Sequence, residues 1–262
     1  MRIEILAIGN ELLIGKTKDT NSNWMAKRIA KYGHKLTRIT TIGDFKKDIA
    51  KTIKEILKRK PDMVITSGGL GPTFDDITID SIASGLKREV QLDKQAYDMV
   101  KRMYERAFDK GILKLREMTK EREKMACIPI GSIILPNVGG VAPGVKIQEG
   151  ETTIYIFPGV PSEVKTMFRN YIQPILLKNK GNFVEKGFLL NGIGESQLAP
   201  YITELQKKNS KIWIKSHPKI EYGVTIEISI TAFNLKNANQ IIDSVIKEIK
   251  KIVIDLGGSI IK

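Results

Sequence analysis

Residues Ile3 to Ile8 form a nearly continuous apolar run closed by Gly9, the pattern of a strand buried on both faces. Asp19 or Thr20 can then cap a helix that carries Trp24, Met25, Ile29 and Tyr32 and ends at Gly33. Lys35 to Ile42 alternates into Gly43-Asp44. Ile49, Ile53, Ile56 and Leu57 recur at helical spacing, and Met63-Val64-Ile65 gives a third buried strand that runs into Gly68-Gly69-Leu70-Gly71-Pro72-Thr73. Strands alternating with amphipathic helices in this way predict a parallel sheet with helices on both of its faces.

From Asp93 to about Met125 the pattern predicts a charged helical insertion with Ala96, Met99, Val100, Met103 and Tyr104 on one side. Ile128 to Leu135 returns to strand character. Val145 to Ile147 and Thr152 to Phe157, hinged on Glu149-Gly150-Glu151, predict a hairpin. Ser162 and Glu163 open a helix that runs through Met167 to Leu177, with a kink expected at Pro174. Lys178-Asn179-Lys180-Gly181-Asn182 has linker composition. The first domain is therefore placed at residues 1–178 and the second at 179–262. The second reads as a small α+β unit: a strand from Phe183 to Leu190, a helix from Glu195 to Lys207, strands at Lys211 to Lys215 and Val224 to Ala232, a helix from Asn237 to Leu256, and a short last strand at Ser259 to Ile261.

With 262 residues, 42% hydrophobic and 27% charged, the chain has an ordinary globular balance. No apolar run approaches the ~18 residues that span a bilayer. The start, Met1-Arg2-Ile3-Glu4, has an acid inside a short apolar run and does not read as a signal peptide, so a cytoplasmic location and no membrane partner are expected. A lone Cys127 makes no internal disulfide, and His34 and His217 lie too far apart for a Cys/His zinc site. The net charge of +14 raises the question of nucleic acid, since clustered Lys and Arg release counterions from phosphates. The excess is diffuse, however, and every arginine precedes residue 178, so the charge reads mainly as a solvated surface.

Ligands of open parallel α/β sheets bind beyond the carboxyl ends of the strands. The loops there are Gly9-Asn10-Glu11, Gly43-Asp44, Gly68 to Asp76, and Pro158-Gly159-Val160-Pro161-Ser162-Glu163. Gly68-Gly69-Leu70-Gly71 lets backbone N–H groups approach an anion, beside a helix N-terminus. Asp75 and Asp76 follow where a Walker loop would have Lys and Ser/Thr, so this is no P-loop. Two like charges at ~4 Å repel by about 4 kcal/mol at an effective dielectric near 20; a divalent cation between them resolves this. Asp76 is therefore assigned to metal binding, with Asp44 as second ligand or general base, both as candidate catalytic residues. Asp75 is a further metal candidate and Glu11 a weaker one. Each has a simpler alternative: Asp75, Asp76 or Asp44 as the cap of the helix that follows it, and Ser162-Glu163 as a helix start. Cys127 and Trp24 read as core, and the two histidines as structural or solvated.

Gly9-Asn10-Glu11-Leu12-Leu13, Asp19-Thr20-Asn21, Gly43-Asp44, Thr66 to Thr73 with Asp75-Asp76-Ile77-Thr78, Pro136-Asn137, Ala142-Pro143-Gly144 and Pro158 to Glu163 together resemble the competence-damage-inducible CinA family. Its N-terminal domain is similar to the three-layer αβα molybdopterin-binding fold of MoaB and MogA. Phe183 onward, with Gly192-Ile193-Gly194-Glu195-Ser196, resembles the family's KH-like domain. The resemblance implies metal-dependent hydrolysis of ADP-ribose to AMP and ribose 5-phosphate, using magnesium, manganese or cobalt with potassium as a supplement, and a homodimer. Through the pterin-binding relatives it implies a molybdopterin-binding module without hydrolysis as the alternative. The small nucleotide or pterin ligand is expected against Gly9, Asn10 and Glu11; against Gly68, Gly69, Gly71, Pro72, Thr73 and Thr78; and against Gly159, Pro161 and Ser162. Longer members carry an amidase domain acting on nicotinamide mononucleotide; no segment here matches it, so that activity is not expected. Lys16, Lys18 and Cys127 depart from the family pattern. Nucleic-acid binding ranks lowest, because Gly192-Ile193-Gly194 runs into Glu195 instead of forming a Gly-x-x-Gly clamp.

Overall fold

A computed structural model of the chain describes residues 1–219 and 225–261. It divides into two compact units, Met1–Ala30 with His34–Asn179, and Lys31–Gly33 with Lys180–Lys262.

The first unit is an α/β fold around a six-stranded mixed sheet. Strands β1 (Arg2–Ile8), β2 (Lys35–Ile42) and β3 (Met63–Ser67) are joined through helices α1 (Asn10–Leu13), α2 (Thr20–Lys31) and α3 (Lys46–Lys58). Helix α4 (Thr78–Leu86), strand β4 (Val90–Leu92), helices α5 (Lys94–Asp109) and α6 (Lys120–Lys124), and strands β5 (Cys127–Pro129) and β6 (Ile133–Leu135) follow. Strands β7 (Gly144–Glu149) and β8 (Thr152–Phe157) form the predicted hairpin, and α7 (Pro161–Met167) and α8 (Gln173–Lys178) close the unit. The sheet order is β2-β1-β3-β8-β7-β6. Its first four strands are mutually parallel, and β7 and β6 add antiparallel edges.

The apolar stripes sort the helices onto the sheet. Leu6, Ile8, Val64, Ile154 and Ile156 share one buried cluster with Ile49, Ile53 and Ile56 of α3, Ile82 of α4 and Ala96 and Val100 of α5. Their chain neighbours Ile5, Ala7, Ile65, Tyr155 and Phe157 are buried outside that cluster, because successive strand residues point to opposite faces. At about 2 kcal/mol for each fully buried aliphatic side chain, the three isoleucines of α3 alone anchor that helix. His34 is buried, with Nε2 2.9 Å from the Leu176 carbonyl, a structural role. Trp24 is half-buried and meets Phe168 edge-on at 5.3 Å.

One charged side chain enters the core. Glu4 in β1 is 3% exposed and receives two hydrogen bonds from Arg59, at 2.9 and 2.6 Å. Removing the guanidinium would leave a buried carboxylate unpaired, which costs about 3 to 5 kcal/mol. Urea unfolding of Arg59→Met is therefore expected to show a loss of about 3 kcal/mol or more, and Glu4→Gln/Arg59→Met a smaller one. Equal stability of wild type and Arg59→Met would refute the pairing.

Several expectations need correction. The run Ile128 to Leu135 is two strands in different sheets: β5 pairs with β4, and β6 with β7. Gly131, at φ +79°, turns the chain between them. The helical insertion is two helices, α5 capped by Asp93 and α6 capped by Thr119. Pro174 does not kink a single helix; a π-helical turn at Phe168–Ile172 precedes it and α8 restarts with the proline in its first turn, where its missing N–H is harmless.

In the second unit, β9 (Phe183–Asn191), α9 (Glu195–Lys208), β10 (Ile212–Lys219), β11 (Thr225–Phe233), α10 (Ala238–Asp255) and β12 (Ser259–Ile260) form an antiparallel sheet in the order β10-β11-β9-β12. The predicted strand start at Val224 lies outside the described residues. His217 and Pro218, beyond the predicted strand end at Lys215, belong to β10. That strand lies at the sheet edge, where a residue without an N–H is tolerated.

Candidate functional site

The carboxyl ends of β1, β2, β3 and β8 open into a cleft of about 520 Å³ in the first unit. It is lined by Gly9 and Glu11 after β1, Asp44 after β2, Gly68 to Thr73 with Asp75 and Asp76 after β3, and Pro158 to Pro161 with Glu163 after β8. Lys18, Asp19 and Asn21 form another part of its wall, and Tyr104, Met125, Val141 and Ala142 give it an apolar part.

The glycine loop has the shape that its sequence requires. Gly68 sits at φ +112°, and a Cβ there would lie 2.0 Å from the Ile8 carbonyl oxygen of β1. Gly69 sits at φ +68°, with the Thr78 hydroxyl 2.2 Å and an Asp44 carboxylate oxygen 3.6 Å from where its Cβ would be. Only glycine fits these positions, since a Cβ makes both conformation and contact prohibitive. The Gly68 N–H is used by the Phe157 carbonyl and the Gly69 carbonyl receives the Thr78 N–H. Among the described residues, the N–H groups of Gly69, Leu70 and Gly71 have no acceptor. Thr78 Oγ1, directly behind Gly69, and Asn21 Oδ1 are buried polar atoms without a partner. Unsatisfied polar groups beside a cleft suit a polar ligand.

Four carboxylates face this loop. Asp44 Oδ2 accepts the Asn10 N–H at 2.7 Å, and Asn10 Oδ1 accepts the Asp44 N–H at 3.3 Å. The Asp76 Oδ2 atom accepts the Thr73 N–H at 2.9 Å and lies 2.6 Å from the place of a Gly71 Cβ. The Thr73 hydroxyl also reaches Asp75 and Asp76, at 2.5 Å each, while Lys124 holds the Thr73 carbonyl. Glu11 folds over Gly9. Burial raises the Asp44 carboxyl above its ordinary value, partly offset by the Asn10 N–H, and the negative charges of Glu11, Asp75 and Asp76 raise it further. The Thr73 hydroxyl lowers Asp75. Burial raises Glu163, which the Asn137 amide opposes with a 2.6 Å hydrogen bond.

The alternative readings of the aspartates as caps fail. Helix α4 starts after Ile77 and α3 after Phe45, neither with a side-chain cap; Asp44, Asp75 and Asp76 bond other loops or the turn before the helix. Asp19 does cap α2, through Ser22 N–H at 2.9 Å.

Of the residues expected to meet the ligand, Gly9, Glu11, Gly68, Gly69, Gly71, Pro72, Thr73, Gly159 and Pro161 line the cleft together with Asp44, Asp75 and Asp76. Asn10, Thr78 and Ser162 do not; Asn10 braces Asp44, Thr78 backs Gly69, and the Ser162 carbonyl accepts the Thr166 hydroxyl at 2.9 Å. The sequence did not single out Tyr104, Met125 or Lys124, because their helical spacing is that of any core or solvated face. Glu163 was visible only as a helix-start acid. Among the described residues no three His, Cys, Asp or Glu side chains cluster as a protein-only metal site. A magnesium-like ion held by one or two carboxylates, waters and ligand phosphate needs no such cluster.

Comparison with known proteins places this geometry. Residues 4–178 match the family described as probable molybdopterin binding domain. A protein of Sulfurisphaera tokodaii is 38% identical over 99% of this chain and 97% of its own length, and one of Sulfolobus acidocaldarius 37% identical over 98% and 96%. The crystal structure of the protein CinA, of unknown function, from Thermoplasma acidophilum is 30% identical with a TM-score of 0.60, and the match covers 67% of this chain and 99% of that one. The unpartnered loop amides and the carboxylates around them therefore lie inside the matched segment, and the chain belongs to the family of probable molybdopterin binding domains.

Proposed function

We propose that the cleft binds a phosphorylated pterin of the molybdopterin type, with a divalent cation between its phosphate and the carboxylates of Asp44 and Asp76. The observation that carries this reading is the set of unpartnered N–H groups of Gly69, Leu70 and Gly71 beside those two carboxylates. The amides attract a phosphate and the carboxylates repel it, and a cation shared between them resolves the conflict. Tyr104, Met125 and Val141 supply an apolar wall for a ring system. The family match supports the ligand class.

A second reading is hydrolysis of the ADP-ribose pyrophosphate, favoured by the raised Asp44 carboxyl. A cation there would offset the charge of both phosphates. Asp44 would accept the proton of a water that attacks one phosphorus, while the P–O bond of the anhydride breaks to leave AMP and ribose 5-phosphate. Calorimetric titrations with molybdopterin and with ADP-ribose, each with magnesium, separate the readings when combined with AMP release. Molybdopterin binding without AMP, under magnesium, manganese or cobalt and with potassium added, supports the first. AMP release abolished in Asp76→Ala supports the second. Binding of neither ligand would overturn both.

A further inference from the structure

The second unit has a sheet face that its own helices leave open. Its chain order β9-α9-β10-β11-α10-β12 with the sheet order β10-β11-β9-β12 is a split βαβ arrangement. Ile212 and Ile214 of β10, Ile226, Ile228 and Ile230 of β11, and Phe188 and Leu190 of β9 are buried in one cluster with Leu198 and Leu205 of α9 and with Ile242, Val245 and Ile249 of α10. Both helices therefore cover one face of the sheet. The alternate residues point the other way, where no helix of the unit packs among the described residues.

On that open face, edge strand β10 presents Trp213 and Lys215, and Lys211 immediately precedes it; all three are exposed, with Trp213 at 61%. An indole left this open is unusual, because burial of an aromatic ring is worth more than that of most side chains. Among the described residues neither Lys211 nor Lys215 has an ion-pair partner. Farther along the strand, Lys219 is paired with Glu227 at 2.9 Å. Opposite Trp213 and Lys215 lie Thr231 and Ser229 of β11, with the exposed Glu185 of β9 beyond Thr231 and Gly187 beyond Ser229. Thr231, Ser229 and Gly187 keep the sheet shallow beside the indole. Residues two apart on a strand stand about 6.6 Å from one another, so a cation flanks the ring on each side along an extended line.

We propose that this face binds single-stranded nucleic acid, an unstacked base lying on Trp213 and the adjoining phosphates on Lys211 and Lys215. The chemistry selects this occupant. An aromatic plane between two lysine ammonium groups matches a flat base between two phosphates. A duplex keeps its bases stacked and offers no ring face. An acidic peptide satisfies the lysines but leaves the indole without a flat partner, and a second copy would bring the same lysines together. Lysine contacts phosphate as a point charge and lacks the bidentate fork that reads guanine, so the binding tolerates any sequence. The Gly-x-x-Gly clamp whose absence argued against nucleic acid is a different device; an open sheet with aromatic side chains needs no such loop.

The test uses the full chain and fluorescein-labelled oligothymidylate of about 12 nucleotides, within the usual site size. Anisotropy titrations at several salt concentrations are expected to give affinity that falls with salt. Trp213→Ala should weaken binding between about 5-fold and 150-fold, the effect of one stacked base, while Trp213→Phe retains most of it. Lys211→Ala/Lys215→Ala should lower the slope of log affinity against log salt by about 1.4, two single-strand phosphate contacts. In a Trp24→Phe background, the oligonucleotide should quench the remaining tryptophan fluorescence. The proposal is overturned by absence of binding at low salt, or by Trp213→Ala and the double lysine variant both binding like wild type. Equal affinity for a duplex of the same length, or binding of polyglutamate in place of the oligonucleotide, would overturn it as well.

Discussion

Asp44→Asn/Asp76→Asn is expected to abolish the effect of magnesium on ligand binding. In wild type with the cation removed by chelation, a phosphate seated on the Gly69 to Gly71 amides faces the negative charges of Asp44 and Asp76. Each such repulsion is worth from about 1 kcal/mol in water to about 4 kcal/mol at an effective dielectric near 20. For each repulsion relieved, magnesium should therefore tighten wild-type binding of ADP-ribose or molybdopterin by about 5-fold to 1,000-fold. The double variant should bind better than wild type in chelator and gain little from magnesium. Both substitutions keep the size of the side chain, and the amide oxygen that replaces the Asp44 carboxylate can still accept the Asn10 N–H, so the fold should persist. Calorimetry with and without magnesium reads the crossover. Identical magnesium dependence in both proteins would remove these aspartates from the site.

The same electrostatics fixes a pH trend. Asp44 has its carboxyl raised by burial and by the acids around it, so in the folded state the neutral form is favoured over a wider range than in an ordinary aspartate. A proton and a divalent ion compete for it. Magnesium affinity should rise as pH rises through that elevated value, and metal-free affinity for a phosphate should rise as pH falls. Both trends should vanish in Asp44→Asn.

Gly68→Ala is expected to cause the largest loss of stability of any single methyl addition in the first unit's loops. The new Cβ would lie 2.0 Å from the carbonyl oxygen of Ile8, which belongs to β1 between β2 and β3 and cannot retreat without breaking ladder hydrogen bonds. Its backbone at φ +112° is also a region that L residues rarely enter. Together these place the cost on the order of 4 kcal/mol, in the range reserved for backbone strain and overpacking. Gly139→Ala meets nothing within 4 Å and should stay within about 1 kcal/mol of wild type. Urea denaturation of the two variants makes the comparison. A Gly68→Ala protein as stable as Gly139→Ala would mean that the loop does not hold its described shape.

How much of this was legible in the residues depends on the range of the forces involved. The parallel strands could be read because Ile3 to Ile8 and Met63 to Ile65 are apolar on both faces, a local property. Convergence of Asp44 and Asp76 followed from a rule about strand ends and not from their neighbours. Strand β4 was missed because Val90-Gln91-Leu92 exists only by pairing with Cys127 to Pro129, and nothing in its immediate neighbours announces a partner so far along the chain. The one-turn helix α1 was hidden in a loop for a similar reason: Asn10 is fixed by exchange with Asp44, 34 residues away. Pro218 inside β10 broke a local rule that tertiary context overrode. The roles of Asn10 and Thr78 behind the cleft wall depended on side-chain direction, which spacing does not encode.

Everything proposed for the cleft rests on a cation that joins the glycine loop's phosphate to the aspartates. Anomalous diffraction from crystals grown with manganese and ADP-ribose tests it most directly. One manganese peak is expected within coordination distance of an Asp44 or Asp76 oxygen and of a phosphate oxygen seated on the Gly69, Leu70 and Gly71 amides. A phosphate seated there with both aspartates turned away and no peak, or a ligand bound elsewhere on the first unit, would contradict it.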